Sequence, residues 1–138
     1  LGVEFRRPGD TEVLAKKRIW PEENGEFELL GPEISNLDVS IKPRKWLRKT
    51  FNANLVSGPQ LDLELELVNG DVNEDNKITI SDYWILADYF DKSQADEDWM
   101  TRGANNFAPQ DADVDGDGSN TVFDYAIISD NLGKVGDN

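Results

Sequence analysis

Apolar residues recur at every second position in several short stretches of the first half of the chain, and at helical spacing in two stretches of the second half. Val3 and Phe5 alternate with polar neighbours before the turn signal Pro8-Gly9-Asp10. Residues 12–20 form a second candidate, closed by Pro21 and Glu23-Asn24-Gly25. Phe27 and Leu29 alternate ahead of Gly31-Pro32, and Leu37, Val39 and Ile41 do so ahead of Pro43. Residues 46–51 are a less regular fifth run. The clearest is Leu61, Leu63, Leu65 and Leu67, set against Asp62, Glu64 and Glu66. Period-two alternation of this kind marks half-buried strands. About six short strands between breakers predict a small antiparallel β-sandwich over residues 1–68.

The second half changes period. Tyr83, Leu86 and Phe90 fall at i, i+3 and i+7, as do Tyr125, Ile128 and Leu132. This predicts two amphipathic helices that share a core through those faces. Trp84, Ile85 and Tyr89 are then left over on the first helix, against Ala126, Ile127 and Asn131 on the second. Residues 96–102 read as a short helix ended by Gly103, with Trp99 and Met100 packing between the two units. No apolar run approaches the ~20 residues that a membrane span requires.

Each helix follows an acidic twelve-residue loop. Asp71, Asn73 and Asp75 stand at loop positions 1, 3 and 5, Lys77 at 7 and Asp82 at 12. Calcium takes six to eight oxygen ligands at ~2.3–2.6 Å, and this spacing supplies them from side chains and, at position 7, from a backbone carbonyl. Asp113, Asp115, Asp117, Ser119 and Asp124 repeat the set 42 residues later. The same offset aligns nine identities without a gap, from Asp71/Asp113 through Tyr83/Tyr125 to Lys92/Lys134. An acidic, solvated surface would not repeat in this way, so the loops are an internal duplication. Position 6 favours a residue that tolerates a left-handed backbone: Gly118 suits it, and Asn76 is the next best. Position 8 is apolar at Ile78 and polar at Asn120, which puts contact between the loops in question.

Composition narrows the chemistry. The chain has no His and no Cys. That excludes a Ser-His-Asp triad and a zinc site of the usual ligands. The net charge of −14 is uneven: residues 1–68 carry −2 and residues 69–138 carry −12. The second half repels itself without cations, so its folding is expected to be coupled to metal. Nucleic acid is not an expected partner, since phosphate binding needs a basic patch. Lys16, Lys17, Lys45 and Lys49 read as solvated strand edges, and Trp46 as a core residue rather than a sugar-stacking one. The chain opens on Leu1 rather than Met and reads as a piece of a longer protein.

A duplicated calcium loop, each copy followed by one helix and lacking an entering helix, resembles a dockerin module, over residues 69–138. The resemblance implies two calcium ions per chain and a cohesin module of another secreted protein as partner, in a cellulosome-like, polysaccharide-related assembly. In that family partner choice sits at loop positions 10 and 11 and helix positions 17, 18 and 22. These map to Ile80, Ser81, Ala87, Asp88 and Lys92, and to Val122, Phe123, Ser129, Asp130 and Lys134. Trp84, Ile85 and Ile127 are added as surplus apolar residues on the same helices. Agreement at Ile80/Val122 and Asp88/Asp130 permits two binding orientations; Ser81/Phe123 makes them unequal. Residues 1–68 resemble, through Gly25-Glu26-Phe27-Glu28-Leu29, the Leu37–Pro43 run and Lys45-Trp46-Leu47-Arg48-Lys49, the carboxypeptidase-regulatory-like or transthyretin-like β-domains.

The expectation is therefore an α+β chain of two modules, 1–68 and 69–138, non-catalytic and secreted, that binds a cohesin in the presence of calcium. The alternative is a calcium-stabilised structural or adhesion module without a cohesin partner. A calcium sensor is disfavoured because opening requires paired flanking helices, and a strand precedes Asp71. An enzyme fragment is disfavoured because the acids of 1–68 lie mostly on strand exteriors.

Overall fold

The computed structural model describes residues 1–32, 34–54 and 64–138. The chain divides into two compact units. The first comprises Leu1–Pro43, Arg48–Glu66 and Asp137–Asn138; the second comprises Arg44–Leu47 and Leu67–Gly136. The units interleave along the sequence, because Arg44–Leu47 leaves the first unit and returns to it at Arg48.

The first unit is built on one antiparallel sheet in the order β2-β1-β3-β5. Its strands are β1 (Gly2–Arg6), β2 (Val13–Arg18), β3 (Leu37–Lys42) and β5 (Lys49–Ala53). Register explains its two faces. Val3 pairs with Ile41, Phe5 with Val39, and Val39 with Phe51. Val3, Phe5, Val39 and Ile41, with Leu37 and Ile19, are the buried apolar core, and Phe51, Leu14, Phe27, Leu29 and Leu65 pack on it. The opposite face carries the polar partners of the same ladders, Glu4 with Lys16 and Ser40, and Ser40 with Thr50. The Ser40 and Thr50 hydroxyls bond to each other at 2.7 Å.

The antiparallel sheet expected in this half is present, but among the described residues of the first unit no second sheet packs on it to make a sandwich. Phe27 and Leu29 do pack on the core, but from a segment without strand pairing. Residues 46–51 are not one strand; a break at 47–48 separates β4 (Lys45–Trp46) from β5. Leu61 and Leu63 lie outside the described residues.

The second unit has a short two-stranded ladder of β4 with β6 (Asn69–Asp71), followed by three helices. These are α1 (Ile80–Asp88), α2 (Pro109–Ala112) and α3 (Val122–Asn131). Thr79 and Thr121 cap α1 and α3. Each hydroxyl accepts from the second residue of its helix, and Asp82 or Asp124 returns a carboxylate to the cap's own N–H. This reciprocal capping box satisfies N–H groups that a helix start otherwise leaves unpaired. The core joins Leu47, Val72, Ile78, Ile85, Leu86, Ala112, Val114 and Ile128. Gly70, at φ +124°, lets β6 pass close to it: a Cβ there would stand 3.3 Å from Ile78 and 3.6 Å from the backbone of Ile128.

Helical period placed the two long helices well but misassigned part of their faces. Leu86 and Ile128 are fully buried as expected, and Ile85, expected as surplus, is buried too. Tyr83, Phe90 and Leu132 are exposed instead. Tyr83 and Phe90 flank Tyr125 with ring centroids 4.6 and 5.4 Å away, a cluster at the rim of the core rather than within it. Both helices end early, at Asp88 and Asn131, so Phe90 and Leu132 fall beyond the turns that would have turned them inward. Residues 96–102 form successive turns, not a helix, and Met100 is exposed. The short helix of this connection lies later, at α2, where Pro109 occupies the first helical position and Asp111 caps Ala108 N–H at 2.9 Å. Pro is preorganised for that position, where its missing N–H costs nothing.

Candidate metal centres

The two loops fold alike because the same side chains hold the same backbone groups. In the first, Asp71 accepts from Asn76 N–H at 3.0 Å; in the second, Asp113 accepts from Gly118 N–H at 3.1 Å. Asn73 and Asp115, at position 3, each accept from the N–H two residues on, at 3.0 Å in both loops. Asp75 and Asp117, at position 5, accept from Lys77 and Ser119 at 2.9 and 2.8 Å. Carboxylates that bond their own backbone two residues on make tight turns of this kind. Positions 4 and 6 are left-handed in both loops: Glu74 at φ 63° and Asn76 at 68°, Gly116 at 79° and Gly118 at 87°.

These turns aim the acids at one point. One carboxylate oxygen from each of Asp113, Asp115 and Asp117 lies within 4.8 Å of the other two. Two oxygens held ~2.4 Å from one ion can be no more than ~4.8 Å apart, so the trio fits a single calcium ion. The first loop places Asp71, Asn73 and Asp75 in the corresponding positions, with Asn73 Nδ2 3.2 Å from Asp75 Oδ2. Lys77 and Ser119 occupy position 7, where the backbone carbonyl is the expected ligand. Asp82 and Asp124 are fully buried at position 12. Their Oδ1 atoms accept from Asn73 N–H at 3.1 Å and Asp115 N–H at 3.1 Å, and their Oδ2 atoms from the helix caps. One carboxylate thus closes the loop and starts the helix. Burial pushes the Asp113 carboxyl up, while the N–H of Gly118, the Lys45 charge and the N–H of Gly116 pull it back.

The polar Asn120 does not cost the loops their contact. It is fully buried, and its Nδ2 donates to the carbonyls of Tyr89 at 3.0 Å and Pro109 at 2.9 Å. Its backbone joins the segment after the opposite helix, with Asp91 N–H on its carbonyl at 3.0 Å and its own N–H on the Lys92 carbonyl at 2.8 Å. Ile78 does the same in the other direction, with Gly133 N–H at 2.8 Å and the Lys134 carbonyl at 2.9 Å. The bridges Lys77–Val135 and Ser93–Ser119 extend this pattern under the same offset.

Each of the two long helices exposes large apolar side chains near its start. Ile80 and Trp84 are 56 % and 61 % exposed on α1; Val122 and Phe123 are 62 % and 67 % exposed on α3. Ser81, Asp88, Ser129, Asp130 and Lys134 are exposed around them, and Ala87, Lys92 and Ile127 are half-buried. Asp88 accepts from Asn105 Nδ2 at 2.9 Å, and Lys92 Nζ donates to Asp98 at 2.9 Å. Ile85 belongs to the core and Ile127 packs against it, so neither adds to these exposed side chains as expected. Tyr89 is also committed inward, its hydroxyl on the Phe107 carbonyl at 2.6 Å.

Residues 69–133 match the model of the dockerin type I domain family. That span is similar to a dockerin type I domain. The whole chain is also similar in fold to solved structures of type II cohesin-X-dockerin complexes from Acetivibrio cellulolyticus. An N-terminal interface mutant of that complex matches with a TM-score of 0.65 at 20 % identity, covering 97 % of this chain and 82 % of the other. A C-terminal interface mutant matches with a TM-score of 0.60 at 21 % identity, with the same coverage. No curated protein matches by sequence.

Sequence reading missed the residues that support the dockerin from outside its repeats. Arg44 Nε is 3.1 Å from Glu74 and its Nη2 is 2.5 Å from Asp111. Lys45 Nζ donates to the carbonyls of Gln110, at 2.8 Å, and Asp113. No local signal marks them, since their partners lie far along the chain.

Proposed function

We propose that the dockerin binds two calcium ions, one per loop, and in that state docks onto a cohesin module of another secreted protein. The chain then serves as a non-catalytic connector in a secreted, polysaccharide-related assembly, with no chemistry of its own. The observation that carries the docking is the exposed apolar pair at the start of each helix, Ile80 with Trp84 on α1 and Val122 with Phe123 on α3. Large apolar side chains left exposed beside polar residues are candidates for protein interfaces. Ser81, Asp88, Lys92, Ser129, Asp130 and Lys134 are those polar residues. The similar folds come from complexes described as cohesin-X-dockerin, which supports the same partner class.

The repeat offers the surface twice. A half-turn exchanges Ile80 with Val122 and Asp88 with Asp130 and puts Phe123 where Ser81 was. Two orientations follow, with different anchors. The test is a panel of cohesins titrated with the chain in calcium and in chelator. Calcium-dependent binding supports the proposal; calcium-dependent folding with no cohesin bound leaves a structural or adhesion module.

A further inference from the structure

The dockerin is completed by Arg44–Leu47, which lie outside the span matched by the family. We propose that Lys45 in this segment is a positioning residue that couples the two calcium loops to each other. The inference rests on the reading that both loops bind calcium. Lys45 meets the first ligand residue of each loop by a different route. Its backbone stands opposite Asp71 in the β4–β6 ladder. Its ammonium donates to the main-chain carbonyls of Asp113 and Gln110.

Four further features agree. Lys45 holds φ at 65°, a left-handed conformation that a residue with a long side chain adopts at a cost. Such strain persists where surrounding contacts over-determine it. Its ammonium is held on carbonyls at the end of α2, which have no partner within the helix and suit a cation. Arg44 repeats the bridge, from Glu74 at position 4 of the first loop to Asp111 in the helix that leads into the second. Leu47 fixes the segment in the core, and its N–H bonds the Val68 carbonyl at 2.8 Å.

Filling the first loop fixes Asp71, and through the ladder it fixes the backbone of Lys45. The ammonium is then set to hold Asp113 where its carboxylate faces Asp115 and Asp117. Coupling of this kind is reciprocal, so the second ion favours the first equally. A bare positive charge near Asp113 would act in the opposite sense, repelling the ion. Position and charge therefore predict opposite results for its removal.

The test uses the full chain, stripped of metal and titrated with calcium by calorimetry. Two ions per parent chain confirm the calcium reading; fewer would overturn that reading rather than the coupling. In Lys45→Met, affinity at the second loop should fall about tenfold or more, as is usual when a residue supporting a ligand is lost. Disabling the first loop with Asp75→Asn should weaken the second in the parent and change it little in Lys45→Met. Without metal, the Gly118 amide, which bonds the Asp113 carboxylate, should exchange faster in Lys45→Met. Tighter binding at the second loop, or undiminished coupling between the loops, overturns the proposal. Should Lys45→Met not fold, Arg44→Gln reports on the neighbouring bridge: weaker binding at the second loop supports the inference, and parent-like binding overturns it.

Discussion

Asn76 and Gly118 show how one backbone requirement is met by two residue types. Both sit at loop position 6 with φ of 68° and 87°. Asn reaches this region at modest cost and Gly at none. Asn76→Gly should therefore leave calcium affinity at the first loop unchanged or tighter. Gly118→Ala should weaken the second, because its Cβ would also stand 2.9 Å from the Gln94 side chain. Calorimetry on the two variants checks both. Trp84 and Phe123 are the largest exposed anchors of α1 and α3. Truncating a buried interface Trp commonly costs ~2 kcal/mol or more, about 30-fold in affinity. Trp84→Ala should weaken cohesin binding more than Phe123→Ala, with calcium binding and melting temperature kept. The reverse order would show that α3 is the docked helix.

Among the elements, the sheet of the first unit carries its own pH signature. Glu4 accepts from Lys16 at 2.8 Å, Arg48 at 2.8 Å and Arg6 at 2.5 Å. The Lys16 and Arg48 bonds, with a smaller one from Arg6, hold its carboxyl down to about 2. A carboxyl depressed in the folded state stabilises above its unfolded value, ~4.3, and loses that contribution as pH falls toward the folded value. Glu4→Gln should therefore flatten the acid limb of this unit's stability between about pH 4.3 and 2, followed through the β1 and β3 amide signals. The loop-helix elements were legible from the sequence because their information is local: acids at fixed spacing, a Thr cap, a period of 3.6. Asn120 was harder, since an Asn at an apolar position is suitable only once Tyr89 and Pro109 bring their carbonyls to it. The β4 strand was lost for the same reason. Its two residues pair with β6 across a long stretch of sequence, and no alternation spans them. Phe90 and Leu132 were misread because periodicity does not say where a helix stops.

For the whole molecule, charge decides the response to chelation. Residues 69–138 carry −12, and Asp113, Asp115 and Asp117 converge with few counter-charges. Like charges ~4 Å apart cost about 1–4 kcal/mol per pair at effective dielectrics between water and a protein surface. A module this small has little hydrophobic reserve against that. Chelation should therefore unfold the dockerin helices while the first unit keeps its strand signal. Helical circular dichroism that survives full removal of calcium would contradict this.

The crossed backbone ties have a consequence for a broken chain. Ile78 bonds to the stretch after α3, and Asn120 to the stretch after α1. Each repeat thus supplies backbone partners to the other, as two clasped hands do. A site for a specific protease inserted between Thr101 and Arg102, both exposed, would cut the connection between the repeats. The two fragments should stay together as a native-like heterodimer, co-eluting in calcium and separating when the metal is stripped away. The peptide link between the repeats would then be dispensable once they have met, and the ions would be what keeps the hands closed.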